Sequence, residues 1–344
     1  MFIKHTVGID VAQKELVVCL IGLTPQFTCE VIGRKKFVNS KAGIQALFKW
    51  VMSLAPDGTL PEFVMEATGV YHVALANYLH DKAAFCGVVL PNKISNYMRT
   101  MVLKTINDDT SSEVIAQYGA RHQVTPWIKP EVDLLELRDL MRERQALVEQ
   151  RTTAKNQKHA AGVVKSKGSS IIQRLAAQIE LFDQQIEQIE QEARQLVALN
   201  GSLKLKFKNL TSIPGVGLIT AYTIVGETLG FYMVKSSRQL VSYAGLDVRT
   251  KESGTSVKAK TRISKKGNKH IRRALYFPGF SAAKHNRSMG ELYNRLISKQ
   301  GIPMKAAVAV QRKLLVLIYT LWKNDQPFDP TYELNRTNKS GTHC

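Results

Sequence analysis

Four residues in this chain are of the type and spacing that phosphoryl-transfer chemistry needs. Asp10 lies in VGIDVAQKELVV, Glu66 in FVMEATGVYH and Asp108 in KTINDDTSSEVIAQYG, while Ser253 lies in RTKESGTSVKAKTRISKKGNKHIRRALY. Carboxylates delivered from separate segments can hold two divalent cations, which activate an attacking oxygen and stabilise the leaving one. A serine hydroxyl on a phosphate-binding surface can attack a phosphodiester, once its proton is removed and the phosphate charge is neutralised. Together they point to DNA strand exchange rather than plain binding. Taken singly, each has a plainer reading. A strand-end Asp is commonly a turn or cap residue, and DDTSSE places Thr110 and Glu113 at capping-box spacing. Ser253 alone reads as a turn residue beside Gly254, with Ser256 and Ser264 as nearby alternatives.

The charge balance says what these residues would act on. The formal net charge of +20 is not spread evenly. Residues 1–125 hold 12 Lys/Arg against 10 Asp/Glu, and residues 126–200 hold 11 against 11. Residues 201–344 hold 25 against 7, so nearly all of the excess sits there. Such segregation is the electrostatic footprint of a phosphate-binding module, because each neutralised phosphate releases counterions. A solvated basic face or a membrane-surface patch is the weaker alternative. No apolar run reaches the roughly 18 residues of a membrane span. The N-terminus MFIKHTVGID lacks a signal-peptide layout and reads directly as a strand. The cysteines Cys19, Cys29, Cys86 and Cys344 show no metal-ligand spacing, and reduced thiols in a cytoplasmic protein are expected.

The elements that must position the acids follow from periodicity. His5–Val11 and Leu16–Gly22 read as strands joined by a tight turn, with Arg34–Val38 as a third. A helix is expected from Ser40 to Leu54, a strand at Glu62–Glu66, a helix at Val70–Ala83 and a strand at Phe85–Leu90. Further helices open at Pro91 and near Asp108. The sum is a mixed α/β sheet over residues 1–125. Asp10 and Glu66 then end two strands, and Asp108 starts a helix.

Residues 126–200 read as helical. Ile172, Leu175, Ile179, Phe182, Ile186, Ile189, Ala193 and Leu196 follow a 3-4-3-4 spacing, the seam of a coiled coil. The seam fits either an intermolecular coiled coil or one arm of a hairpin within the chain; the hairpin, also contributing to oligomerisation, is preferred. Residues 201–330 read as mostly helical and basic, followed by a flexible tail at 331–344. Within them SIPGVGLITAYTIVGE carries Gly215 and Gly217 between two helical patterns, a helix-hairpin-helix type of signal whose backbone N–H groups can approach phosphates. Its plainer reading is a simple helix–helix turn. The stretch 249–273 holds ten Lys/Arg and one acid, Glu252.

GIDVAQ, MEATGVY, the KT…D…IA segment, SIPGVG, YAGL, ESGTSV and ISKKGNKHIRRALY together resemble the DEDD-type insertion-sequence transposases. These are the IS-one-ten family of bridge-RNA-guided recombinases, relatives of the Piv-type pilin-gene invertases. The resemblance runs in order from about residue 5 to residue 328. It implies an N-terminal RuvC-like, RNase H-type domain with four acids, a coiled coil, and a C-terminal transposase domain with a nucleophilic serine. It implies two Mg²⁺ ions, with Mn²⁺ as an alternative, donor and target DNA, a guide RNA, and a homodimer assembling to a tetramer on the bacterial nucleoid.

Carried onto this sequence, the resemblance makes Asp10, Glu66 and Asp108 the first three acids and Ser253 the nucleophile. Lys258, Arg262, Lys265, Lys266, Lys269, Arg272 and Arg273 would position phosphates. The fourth acid belongs three residues after Asp108, where this chain has Ser111. Serine brings no charge and is a poor Mg²⁺ ligand, and Asp109 is turned about 100° around the helix. Either metal binding is impaired, the preferred reading, or water and nucleic-acid phosphate complete the shell. Two other function classes compete: a RuvC-like endonuclease using metal-activated water, and a non-catalytic nucleic-acid-binding protein. A sugar-kinase-like reading of GIDVAQ fails, since no phosphate-binding Gly-rich loop follows.

Overall fold

The β-rich N-terminal segments form the strands expected of them: β1 (Lys4–Val11), β2 (Glu15–Leu23) and β3 (Cys29–Val38). The computed structural model describes residues 2–55, 60–67, 71–101, 108–164, 169–232, 234, 236–249, 252–253, 257–258 and 262–332. At Asn92, Asp108, Arg249, Glu252, Ser253, Val257 and Lys258 the backbone alone is described. The chain divides into two units after Lys129.

In the first unit α1 (Lys41–Leu54), β4 (Glu62–Glu66), α2 (Val73–Asp81), β5 (Cys86–Val89), α3 (Pro91–Met98) and α4 (Asp108–Arg121) follow the three strands. The sheet order is β3-β2-β1-β4-β5. β2 runs antiparallel to β1 and β3, whereas β4 and β5 run parallel to β1. This is the mixed sheet expected from the sequence. β3 begins five residues before the expected Arg34, because pairing with β2 continues past an irregularity at Leu20/Ile21. Glu30 and Gly33 flank Val31 and Ile32 there and weaken the strand signal of that stretch.

Both faces of β1 are covered. Val7, Ile9 and Val11 join Leu16, Leu20, Phe63 and Met65 beneath α1 and α2. Helix α1 starts where Ser40 accepts the Gly43 N–H (3.2 Å) and buries Ile44, Leu47 and Val51 on one stripe. Each such side chain contributes roughly 1.5–3 kcal/mol when fully buried. The other face, with Thr6, Gly8 and Asp10, lies under α4 and its buried Ser112, Ile115 and Ala116.

The second unit begins with α5 (Val132–Val164) and α6 (Ser170–Leu199). They pack antiparallel within the chain: Arg144 pairs with Glu190 at 2.7 Å and Arg151 with Asp183 at 2.5 Å, so a step forward on one helix is an equal step back on the other. The basal residues Leu134, Leu137, Met141, Ile189, Ala193 and Val197 belong to the same core as the helices that follow. Farther out, Ile172, Leu175, Ile179 and Phe182 are only half-buried, since the matching α5 stretch, RTTAKNQKHA, is polar.

Next come α7 (Gly201–Thr211), α8 (Leu218–Thr228), α9 (Ser237–Tyr243), β6 (Val248–Arg249), β7 (Glu252–Ser253), β8 (Val257–Lys258) and β9 (Arg262–Ile263). They are followed by α10 (Lys269–Ala274), α11 (Tyr276–His285), α12 (Arg287–Gln300) and α13 (Pro303–Asn324). Val310, Leu314, Ile318 and Trp322 give α13 a buried stripe at helical spacing. Among the described residues no helix is long and apolar enough to cross a membrane. The tail from residue 333 onward lies outside the described residues.

Candidate active site

The register of the first sheet places two of the predicted acids side by side. β1 and β4 run parallel with Ile9 opposite Met65, so the next residues, Asp10 and Glu66, are neighbours at the strand ends. Both are half-buried. Burial, and secondly the charge of Asp10, raise the Glu66 carboxyl above its ordinary pKa. Two like charges at a half-buried strand end are mutually destabilising, and a divalent cation relieves the repulsion by neutralising both. The hard oxygen donors suit Mg²⁺ or Mn²⁺. The residues present fit such an ion.

Helix α4 brings the third acid to the same end of the sheet. A Cβ at Gly8 would lie 2.1 Å from the Ser112 carbonyl oxygen and 2.2 Å from the Ala116 nitrogen. Only a glycine lets the helix backbone approach β1 this closely. The Lys4 ammonium donates to the Gly119 carbonyl (2.8 Å), which fixes the direction of α4 as antiparallel to β1. The N-terminal turn of α4 therefore lies toward the Asp10 end, and Asp108 is its first residue, one turn before the buried Ser112. The Asp108 side chain is outside the described set, and among the described residues no cluster of three or more metal-ligating side chains is present.

Ser111 is half-buried on the same helix, one turn before the buried Ile115. Asp109 acts elsewhere. Its charge is felt by Arg34 and Cys19 on the β2–β3 side. Glu113, at the capping-box position, instead pairs with Arg34.

In the second unit the basic segment forms two nested antiparallel ladders, which helical expectation for this region did not anticipate. Val248 and Arg249 pair with Ile263 and Arg262, and Glu252 and Ser253 pair with Lys258 and Val257. Ser253 thus stands on a strand directly before residues 254–256. Ser256 lies outside the described residues, as do the side chains of Ser253 and Lys258. The Ser264 hydroxyl donates to the Asp247 carboxylate at 2.5 Å and shapes the return of the chain.

The predicted cations divide into two groups. Arg262, Lys265, Lys266 and Lys269 are exposed, and their side chains have no hydrogen-bond or ion-pair partner among the described residues. Arg272 donates to the carbonyls of Ala244 (2.8 Å) and Asn268 (3.3 Å), and Arg273 pairs with Glu149. These two brace α10.

Sequence reasoning missed the centre of that brace. The Glu227 carboxylate, 1% exposed, accepts from Arg142 at 2.6 and 2.8 Å and from Asn268 at 2.6 Å. The Asn268 oxygen in turn caps α10 by accepting the His270 and Ile271 N–H groups. The Asn after Gly267, just before a helical run, is the signal that could have found it.

Between α7 and α8, Gly215 has φ +95°, and a Cβ there would meet the Ala282 nitrogen at 2.7 Å. Packing against α11 accounts for this glycine. Gly217, at the N-terminus of α8, faces open space.

Comparison with known proteins decides the family. A DEDD transposase model of the IS110 type matches residues 7–165, and a model described as the transposase IS116/IS110/IS902 family matches residues 207–294. The chain belongs to the IS110 family of DEDD transposases. Among IS110-family relatives and related proteins, the pilin gene-inverting protein of Moraxella lacunata is 25% identical over 331 residues, covering 95% of this chain and 98% of that one. The transposase for insertion sequence element IS1328 of Yersinia enterocolitica is 30% identical over 206 residues, covering 52% and 59% respectively. The Thermus thermophilus RuvC structure aligns with 36% of this chain and 99% of its own at 12% identity, with a TM-score of 0.29, too low to establish a shared fold. Membership in the IS110 family gives the chain a transposase or recombinase function.

Proposed function

We propose that this IS110-family protein cleaves and rejoins DNA strands through a covalent phosphate link to Ser253, assisted by divalent cations at Asp10, Glu66 and Asp108. The observation that carries the reading is the adjacency of Asp10 and Glu66 on parallel strands, with α4 starting at the same end of the sheet. The strand order β3-β2-β1-β4-β5, with only β2 running against β1, supports the RuvC-like, RNase H-type assignment of this unit.

In the reaction the Ser253 hydroxyl attacks the scissile phosphorus, its proton passes to a base, and the leaving DNA oxygen departs. One phosphoester bond forms as another breaks, so the bond energy is kept for rejoining. Mg²⁺, when bound, would neutralise charge on the phosphate oxygens. Asp10 and Glu66 hold their carboxylates at one edge, and Asp108 would complete the set. Ser111 supplies no fourth charge, so metal affinity is reduced. The exposed Arg262, Lys265, Lys266 and Lys269, together with Lys258 and the N–H groups at Gly215 and Gly217, would track phosphates. Donor and target DNA, a bridge RNA and a dimer assembling to a tetramer complete the proposal. The names of the gene-inverting and transposase relatives support rearrangement of DNA as the outcome.

Covalent capture tests it. The protein is incubated with guide RNA, recombination-site DNA and Mg²⁺, then denatured, alongside Ser253→Ala. An adduct that disappears with Ser253→Ala is expected. Cutting without an adduct would instead assign a metal–water endonuclease, and firm binding without cutting a non-catalytic binding protein.

A further inference from the structure

We propose that an open cleft in the second unit binds unpaired nucleotides, with Phe277 and Tyr276 as the surface on which bases stack. The proposal rests on the nucleic-acid recombinase reading above and adds to it a site for single strands, lined in part by the same basic segment.

The cleft has a volume of about 1770 Å³. Small-molecule sites run to roughly 300–1,000 Å³, so its size suits an extended ligand. Its wall is drawn from α5, α8, β6, β9, α10, α11, α12 and α13. Arg262, Lys265, Lys269, Lys305 and Arg312 line it and are exposed, and their side chains have no hydrogen-bond or ion-pair partner among the described residues. Among the described residues no aspartate or glutamate lines it. Uncompensated cations without a single acid make this a seat for a polyanion.

Cations alone would serve a duplex equally well, and the aromatic residues make the distinction. Phe277 is 77% exposed and Tyr276 40%, side by side with ring centroids 5.1 Å apart and nearly perpendicular. A phenylalanine this exposed adds little to folding. A duplex hides the faces of its bases, whereas a single strand offers them to an aromatic ring.

The wall itself supplies an independent observation. Gln311 is 4% exposed, lines the cleft, and its Nε2 has no hydrogen-bond partner among the described residues. It is packed beneath Gly279, where a Cβ would come within 2.6 Å of the Gln311 Cγ, so the chain holds this amide in place. A buried N–H without an acceptor is rare in folded proteins. The carbonyl of an unpaired base is an acceptor that this wall lacks.

The test uses the full chain and fluorescence anisotropy with labelled single-stranded DNA, single-stranded RNA of the same sequence, and the corresponding DNA duplex. Phe277→Ala should weaken single-strand binding roughly 5- to 150-fold, the range for losing one stacked base. Duplex affinity should change less than about twofold, and Phe277→Trp should restore single-strand binding. Because Phe277 is exposed, thermal melting should be unchanged. Tighter binding of the RNA strand would assign the occupant to RNA, and of the DNA strand to displaced DNA; both support the site. Equal losses on single strands and duplex, or none on either, would overturn it while leaving the recombinase reading intact. A wild-type chain that binds none of the three probes would overturn both.

Discussion

Replacing Glu227 with glutamine keeps the volume and removes one charge at the point where α5, α8 and α10 meet. Three N–H donors converge on the carboxylate, two from Arg142 at 2.6 and 2.8 Å and one from Asn268 at 2.6 Å. Glutamine offers a single acceptor oxygen, and its NH₂ group must face at least one of those donors. Breaking one side of a buried ion pair costs about 3–5 kcal/mol. The Arg142 side chain is 45% exposed, so water recovers part of its solvation and the lower end, about 3 kcal/mol, applies. For a unit of this size that corresponds to a fall in Tm of roughly 6–12 °C near neutral pH, measured by calorimetry on the full chain.

The pH dependence is a second, independent readout. Burial pushes the Glu227 carboxyl up, but hydrogen bonds from Arg142 and Asn268, with the Arg142 charge, outweigh it and hold the group below its ordinary value of 4.5. A carboxyl depressed in the folded state stabilises above its unfolded pKa and loses that contribution as pH falls through the folded value. The gap between wild type and Glu227→Gln should therefore hold from neutral pH down to about pH 5 and narrow below about 4.5. Equal melting at neutral pH, or a gap that does not respond to acid, would refute the reasoning.

Two further outcomes bear on the carboxylate site. Ser111→Asp restores a charge on the helix that begins at Asp108. Calorimetric titration should show Mg²⁺ binding tightened at least about tenfold, about 1.4 kcal/mol, with more Ser253-dependent adduct; no change in either would contradict the role given to this position. Gly8→Ala puts a methyl group 2.1 Å from the Ser112 carbonyl, so α4 must move off β1. A loss of about 1–3 kcal/mol in thermal stability is expected, together with weaker Mg²⁺ binding in the same titration.

Much of the first unit was legible because local and tertiary signals agree there. The β-branched residues of VGIDV and the continuous apolar run of ELVVCLIGL mark strands buried on both sides, and Ser40 caps α1 where expected. What the pattern could not show was the reason for Gly8. A glycine inside a strand is a weakness in local terms, and only the arrival of α4, more than a hundred residues later, makes it necessary. The second unit was harder. Its four strands are two residues each and rich in Lys and Arg, too short for a period-2 signal. The α6 seam was clear in the sequence, but its partner was not, because the facing part of α5 is polar beyond Val148.

The basic segment shows why composition predicts a partner more readily than it predicts contacts. Every cation in ISKKGNKHIRRALY carries the same formal charge, and in sequence nothing separates Lys269 from Arg272. In the fold they do different work. Arg272 is held by two backbone carbonyls, so it cannot turn to a phosphate without releasing part of the frame, and Arg273 is shared with Glu149 in a surface pair. Lys265, Lys266 and Lys269 meet solvent directly. Arginine suits the first task, since its rigid fork of donors satisfies two acceptors at once, and lysine the second, as a point charge on a flexible stem. The order along the motif follows from this: lysines where the chain is turning in the open, arginines where α10 returns to the core. The +18 of the last 144 residues therefore overstates the charge available to nucleic acid. Arg272 and Arg273 instead brace α10, whose first residue is Lys269.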